Sequence, residues 1–233
     1  MQLEQRMYKS PIVLALDSAK VDRCESLIDA TSEFVGVYKL GLEFFTANGP
    51  TGVLAIRRTF PEIKIFLDLK MHDIPNTVGK SSSNLAEIGI EFLTVHASGG
   101  PEMIKAAVEA LPGTRITAVT LLTSIDQKAL EILTLPNDVE GLVSSWASTA
   151  VAAGSRAIVA SPHEVATLRK TLSAGITLIT PGIRTAPTND DQKRVMTPTE
   201  AITAGADLLV IGRPITGAAN PGNAARTIFE SLH

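Results

Sequence analysis

Residues 64–70 read KIFLDLK, and the fold follows from how that stretch is read. Ile65, Phe66 and Leu67 make a short apolar run of the kind a parallel sheet buries on both faces. Asp68 and Lys70 then end it with charge. A strand alternates its faces, so Asp68 and Lys70 are expected on the same side. Charge at the end of an apolar strand is costly unless it is paired. The pair is therefore either an inert ion pair at a strand end or a piece of chemistry.

Runs of the same type recur on both sides of it: IVLALD (12–17), GVYKLG (36–41), FLTVHA (92–97), RITAVTLL (115–122), RAIVAS (156–161), TLITPGI (177–183) and DLLVIGR (207–213). Between them lie amphipathic stretches with helical spacing, clearest in SSNLAEIGI (82–90), PEMIKAAVEAL (101–111) and VSSWASTAVAAG (143–154), where Trp146 is expected to pack as core. Ala153-Gly154 and Ala204-Gly205 stand where helices should stop. Strand starts are 21 to 41 residues apart, the size of a βα unit. Eight such units predict one (β/α)8 TIM barrel domain over residues 1–233. The alternative is a doubly wound open sheet, which favours a glycine-rich first turn. Here that turn is Asp17-Ser18-Ala19-Lys20. The longest irregular polar stretch is RTAPTNDDQKRVMTP (184–198), with the length of a lid loop.

Composition narrows the function classes. The chain has 233 residues, 45% of them hydrophobic, and a net charge of −3, with no basic tract; nucleic acid is not an expected partner. Cys24 is alone, so no intrachain disulfide can form, which fits a reducing compartment. The opening MQLEQRMYKS has no apolar signal core, and no apolar run reaches the ~18 residues of a membrane span. The four histidines lack metal-binding spacing, so zinc is not suggested. The expectation is a soluble cytoplasmic protein without a bound metal.

Active sites of such barrels collect at the C-terminal strand ends. Those ends offer Asp17, Lys39, Asp68 and Lys70, then Asp73 just beyond strand three, followed by His96, Thr123, Ser161, Pro181, Arg184, Gly212 and Arg213. Plain readings exist for each: Asp17 as a helix cap, Lys39 reaching to solvent, Asp68–Lys70 as a structural ion pair, His96 as a hydrogen-bonded structural histidine. Acids and lysines alternating around one rim favour function. The loops after strands seven and eight commonly bind phosphate in this fold. Gly212 lets an anion approach the backbone, Arg213 brings a fork of donors, and the 184–198 loop adds Gln192, Lys193 and Arg194.

DLKMHDIPNTV (68–78) closely resembles the signature of the orotidine 5'-phosphate decarboxylase family. LALD (14–17), YKLG (38–41), VTLLTS (119–124), TPGIR (180–184), DDQKRVMTP (190–198) and VIGRPI (210–215) resemble that family's blocks, in its order. The likeness covers nearly the whole chain and matches the short bacterial form. It implies decarboxylation of orotidine 5'-phosphate to UMP and carbon dioxide in pyrimidine biosynthesis, without a cofactor, by a homodimer with shared active sites. It further implies that Asp17 and Lys39 contact the ribose, and that Lys39, Asp68, Lys70 and Asp73 form a charge network beside pyrimidine C6. Asp73 and Thr77 would come from the other subunit. Thr123 would read the pyrimidine edge and Pro181 would flank the base. Gln192, Gly212 and Arg213 would hold the phosphate, with Arg184 close by. Two rival readings remain at this point. One is a metal-dependent sugar-phosphate decarboxylase or aldolase on the same barrel, disfavoured because Lys39 stands where such enzymes place a glutamate. The other is a non-catalytic nucleotide-phosphate sensor.

Overall fold

The computed structural model describes residues 8–184 and 196–232. The strands are β1 (Ile12–Ala15), β2 (Val37–Gly41), β3 (Ile65–Met71), β4 (Phe92–His96), β5 (Arg115–Val119), β6 (Ala157–Val159), β7 (Thr177–Thr180) and β8 (Leu208–Ile211). Each falls on one of the eight apolar runs. They pair in sequence order, all parallel, and β8 returns to β1, which closes the barrel. Val13 faces Val37 on one side and Val210 on the other.

Alternation along the strands makes two cores. Val13, Val37, Phe66, Phe92, Ala157, Ile179 and Leu208 turn inward and plug the barrel. The Phe66 and Phe92 rings meet at 5.4 Å, tilted by 53°, as aromatic quadrupoles prefer. Most other buried apolar residues face outward and carry the helices. Two residues beyond Val37 and Phe66 come Lys39 and Asp68, on the same inner side. The apolar plug is thus the floor on which the charged residues stand.

The helices fall largely where apolar spacing predicts. PEMIKAAVEA forms the helix Pro101–Ala110, and VSSWASTAVA lies within Val139–Ala152. Trp146 is only half-buried against the outer core. Gly154 and Gly205 follow their helices with φ of 102° and 108°, values a side chain would strain. One expectation shifts: SSNLAEIGI is not itself a helix. The helix is Pro75–Ser83, followed by a 3₁₀ turn at Ala86–Ile88. Pro75 opens it because the missing N–H is no loss in a first turn. The apolar spacing of Leu85 and Ile88 records burial of the turn, not helix continuation.

The end of β3 departs from regular pleating. Leu67 pairs with Leu93 and Met71 with Val95, so β3 spends four steps where β4 spends two. Lys70 sits in this bulge with φ of 49°, a left-handed conformation rare outside glycine. Bulges of this kind re-aim side chains near functional sites. Among the described residues, no helix is long and apolar enough to cross a membrane.

Candidate active site

A cavity of about 440 Å³ opens at the C-terminal end of the barrel. Asp17, Lys39, Asp68 and Lys70 form one part of its wall; Thr123 and Ser161 form another; Pro181, Arg184, Gly212 and Arg213 line the rest. Ten residues anticipated from the strand ends therefore converge on one space: Asp17, Lys39, Asp68, Lys70, Thr123, Ser161, Pro181, Arg184, Gly212 and Arg213.

The charges form a row. Lys39 Nζ lies 3.5 Å from Asp17 Oδ1 and 3.4 Å from Asp68 Oδ2. Lys70 Nζ donates to both Asp68 oxygens at 2.8 Å each. Thr94 Oγ1, from the neighbouring strand β4, donates to Asp68 Oδ1 at 2.9 Å and accepts from the Lys70 backbone N–H at 2.8 Å. Asp68 is the buried centre of the row, its side chain 11% exposed, whereas the Lys70 side chain is 32% exposed and Asp17 63%. Burial by itself would push the Asp68 carboxyl up. The Lys39 and Lys70 ammoniums outweigh it, helped by hydrogen bonds from Lys70 and Thr94, and hold the group below the usual carboxylate range. Asp68 is therefore ionised at neutral pH. An ammonium has three protons. The contacts to Asp68 engage at most two of them, which leaves at least one for an atom in the cavity.

The far wall is cationic. Arg184 is buried and donates through Nη1 to the Ile183 carbonyl at 2.9 Å. Arg213 is exposed and opens the short helix Arg213–Thr216 directly after Gly212. A bridge joins Ile183 to Met196, with the Arg184 N–H donating to the Met196 carbonyl at 3.1 Å. The chain thus leaves and re-enters the rim at one point beside Arg184. Gln192, Lys193 and Arg194, and with them most of the expected 184–198 lid, lie outside the described residues.

Asp73, Thr77 and His96 do not join the cavity of their own chain. Asp73 and Thr77 are exposed on the segment after β3, and neither lines it. Asp73 Oδ1 accepts from the Ile74 backbone N–H at 2.6 Å. Among the described residues Asp73 makes no ion pair. Ile74 beside it is 65% exposed, and Leu42, the first residue of the helix after β2, is 52% exposed.

His96 stands apart from the cavity lining, half-buried, its ring 5.4 Å from that of His72. Burial, followed by His72 and Lys70, pulls its pKa below the ordinary histidine value, with Asp68 opposing. Ser161 was a weak signal in the sequence; it is buried and its Oγ accepts from the His163 N–H at 3.4 Å. Thr94 was missed. It had a signal: it is polar, in the middle of the apolar run FLTVH, with the inward parity of Phe92. Among the described residues no three His, Cys, Asp or Glu side chains gather as a metal cage.

Comparison with known proteins identifies the family and the fold. The pattern that defines the Orotidine 5'-phosphate decarboxylase / HUMPS family matches residues 10–228. The chain is 47% identical over 224 residues to an orotidine 5'-phosphate decarboxylase of Thermobifida fusca, covering 96% of each chain. It is 43% identical over 235 residues to one of Moorella thermoacetica, covering 96% of this chain and 92% of the relative. The crystal structure of orotidine 5'-phosphate decarboxylase from Lactobacillus acidophilus superposes with a TM-score of 0.83 at 34% identity, over 96% of this chain and 99% of that one.

Proposed function

The chain belongs to the orotidine 5'-phosphate decarboxylase / HUMPS family and is a carboxy-lyase that converts orotidine 5'-phosphate to UMP and carbon dioxide; from its site we propose how it does so. The C6–carboxylate bond breaks and its electron pair stays on C6, in the ring plane, where the π system cannot take it up. The site offers electrostatics in place of an electron sink. Lys70 places a cation at the cavity wall, held by two contacts of 2.8 Å to Asp68. That cation stabilises charge as it develops, the kind of interaction that raises a rate. A proton of the Lys70 ammonium then passes to C6 and gives UMP; Lys70 is reprotonated from solvent.

The observation that carries this reading is the position of Lys70 Nζ, clamped by an ionised Asp68 at the wall of the 440 Å³ cavity. Asp68 acts as an organiser. Its carboxylate is saturated by Lys39, Lys70 and Thr94, so its charge is directed at those partners and keeps Lys70 aimed. Asp17 and Lys39 take the ribose hydroxyls, Thr123 and Pro181 the base, and Arg184, Gly212 and Arg213 the phosphate. The phosphate does not react; its binding energy holds the pyrimidine against Lys70.

The enzyme works in the cytoplasm as a homodimer in which Asp73 and Thr77 complete the partner's site. Their exposure, the absence of an ion pair at Asp73 among the described residues and the exposed apolar Ile74 beside it support this. Incubation with orotidine 5'-phosphate, following carbon dioxide release and pyrimidine absorbance, tests the reading. Turnover should persist in EDTA. No turnover under any condition would favour a binding protein, and turnover abolished by EDTA but restored by a divalent cation would favour metal chemistry.

A further inference from the structure

The bulge in β3 rests on one group of β4 that bonds both a backbone and a side chain. Thr94 is fully buried, at 0% exposure, between the fully buried apolar residues Leu93 and Val95. Its hydroxyl accepts from the backbone of Lys70 and donates to the side chain of Asp68. Lys70 Nζ returns to the same carboxylate. A ring of contacts therefore closes: Lys70 N–H to Thr94 Oγ1, Thr94 O–H to Asp68 Oδ1, Asp68 to Lys70 Nζ, and back along the Lys70 side chain.

Resting on the decarboxylase reading, we propose that Thr94 is a positioning residue for Lys70. Its hydroxyl holds the left-handed backbone at Lys70 and the Asp68 carboxylate with one atom. The β3–β4 ladder is interrupted between Leu67 and Met71. Within that interruption the Lys70 N–H finds its acceptor in the Thr94 hydroxyl. Without the Thr94 oxygen this half-buried N–H would lack its acceptor, and a φ of 49° would lose the contact that offsets its strain. Without the Thr94 proton, Asp68 Oδ1 would be free to turn about its Cβ–Cγ bond and carry the ammonium with it. Lys70 is thus fixed at both ends: at its backbone directly by Thr94, and at its head through Asp68.

Three variants test this. Thr94→Val keeps the shape and removes both hydrogen bonds; Thr94→Ser keeps the hydroxyl and loses a methyl; Thr94→Ala replaces Thr94→Val should the latter not be recovered folded. Loss of two such bonds, one of them to a charged group, should lower kcat roughly ten- to a hundredfold. Binding of UMP should change by less than about threefold, because the proposal concerns the aim of Lys70 and not the phosphate or ribose contacts. Removing a bond to the charged form of Asp68 should also move the acid limb of kcat/KM to higher pH. Thr94→Ser should restore most of the rate and the original limb. Wild-type turnover with Thr94→Val or Thr94→Ala at wild-type kcat overturns the proposal while leaving the decarboxylase reading intact. Equal losses in Thr94→Ser and the hydroxyl-free variant overturn it too, since packing of the methyl would then explain both. Absence of turnover in the wild type would fall on the decarboxylase reading instead.

Discussion

Asp68 grips Lys70 through both of its oxygens, at 2.8 Å each, two positions along the same strand. Neighbouring inward positions of a regular strand stand side by side and do not lean into one another. The bulge brings the two side chains to bidentate contact, and Lys39 on β2 approaches the same carboxylate from the other side at 3.4 Å. One buried acid thus serves two ammoniums that both line the cavity, and Lys70 is the one held tighter.

Lys70→Ala should remove both the cation at C6 and the proton donor. kcat should fall more than a thousandfold, about 4 kcal/mol of transition-state stabilisation, while UMP binding weakens far less. Steady-state kinetics beside product-binding calorimetry make the comparison. Near-normal turnover would rule out the proposed chemistry.

Arg213→Ala should act through binding energy. kcat/KM for orotidine 5'-phosphate should drop by at least about tenfold, the loss of a charge-assisted contact. A substrate truncated to lack the phosphate should react at the same slow rate with either protein. Equal losses on both substrates would assign Arg213 to holding the rim.

Lys70→Ala and Asp73→Asn proteins should each be almost inactive alone. After mixing and subunit exchange, hybrid dimers should form in which one site carries both lesions and the other carries neither. Random exchange makes half of the dimers hybrids, so about a quarter of wild-type activity should return under two-fold symmetry. No recovery despite exchange verified by mass spectrometry would return Asp73 to its own chain.

His96 should make stability depend on pH. Burial, His72 and Lys70 hold its folded pKa down, whereas the unfolded chain takes up the proton near pH 6.5. Between the two values the unfolded state binds more protons, so stability falls as pH falls from about 6.5 and levels off below the folded value. Urea unfolding at a series of pH values should show this slope, and His96→Gln should flatten it. An unchanged slope in the variant would locate the titrating group elsewhere.

The barrel was legible because each strand of a parallel sheet is buried on both faces and leaves a compact apolar run. The rim residues were legible by parity: Lys39 and Asp68 follow Val37 and Phe66 by two. Thr94 showed only as a polar residue within the apolar run FLTVH; its role depends on a register slip with β3, which the sequence of one strand does not record. The same slip sets the backbone of Lys70, which lysine's own preferences would not announce. The helix after β3 was displaced in the sequence reading because Leu85 and Ile88 have helical spacing but are buried by a turn. Asp73 is a different case: its position in the chain was plain, while its use depends on a second molecule.

The seam between β1 and β8 bears on how the chain reaches this state. Ile12 pairs with Leu209, so the last ladder joins segments at opposite ends of the sequence. Such a contact is rewarded only after almost the entire chain has been gathered, and parallel pairings of this separation form slowly. Until they form, β1 and β8 are bare sheet edges, available to another molecule. Refolding from denaturant should therefore lose yield as protein concentration rises, and a circular permutant that joins the ends and opens between β4 and β5 should shift where that loss begins.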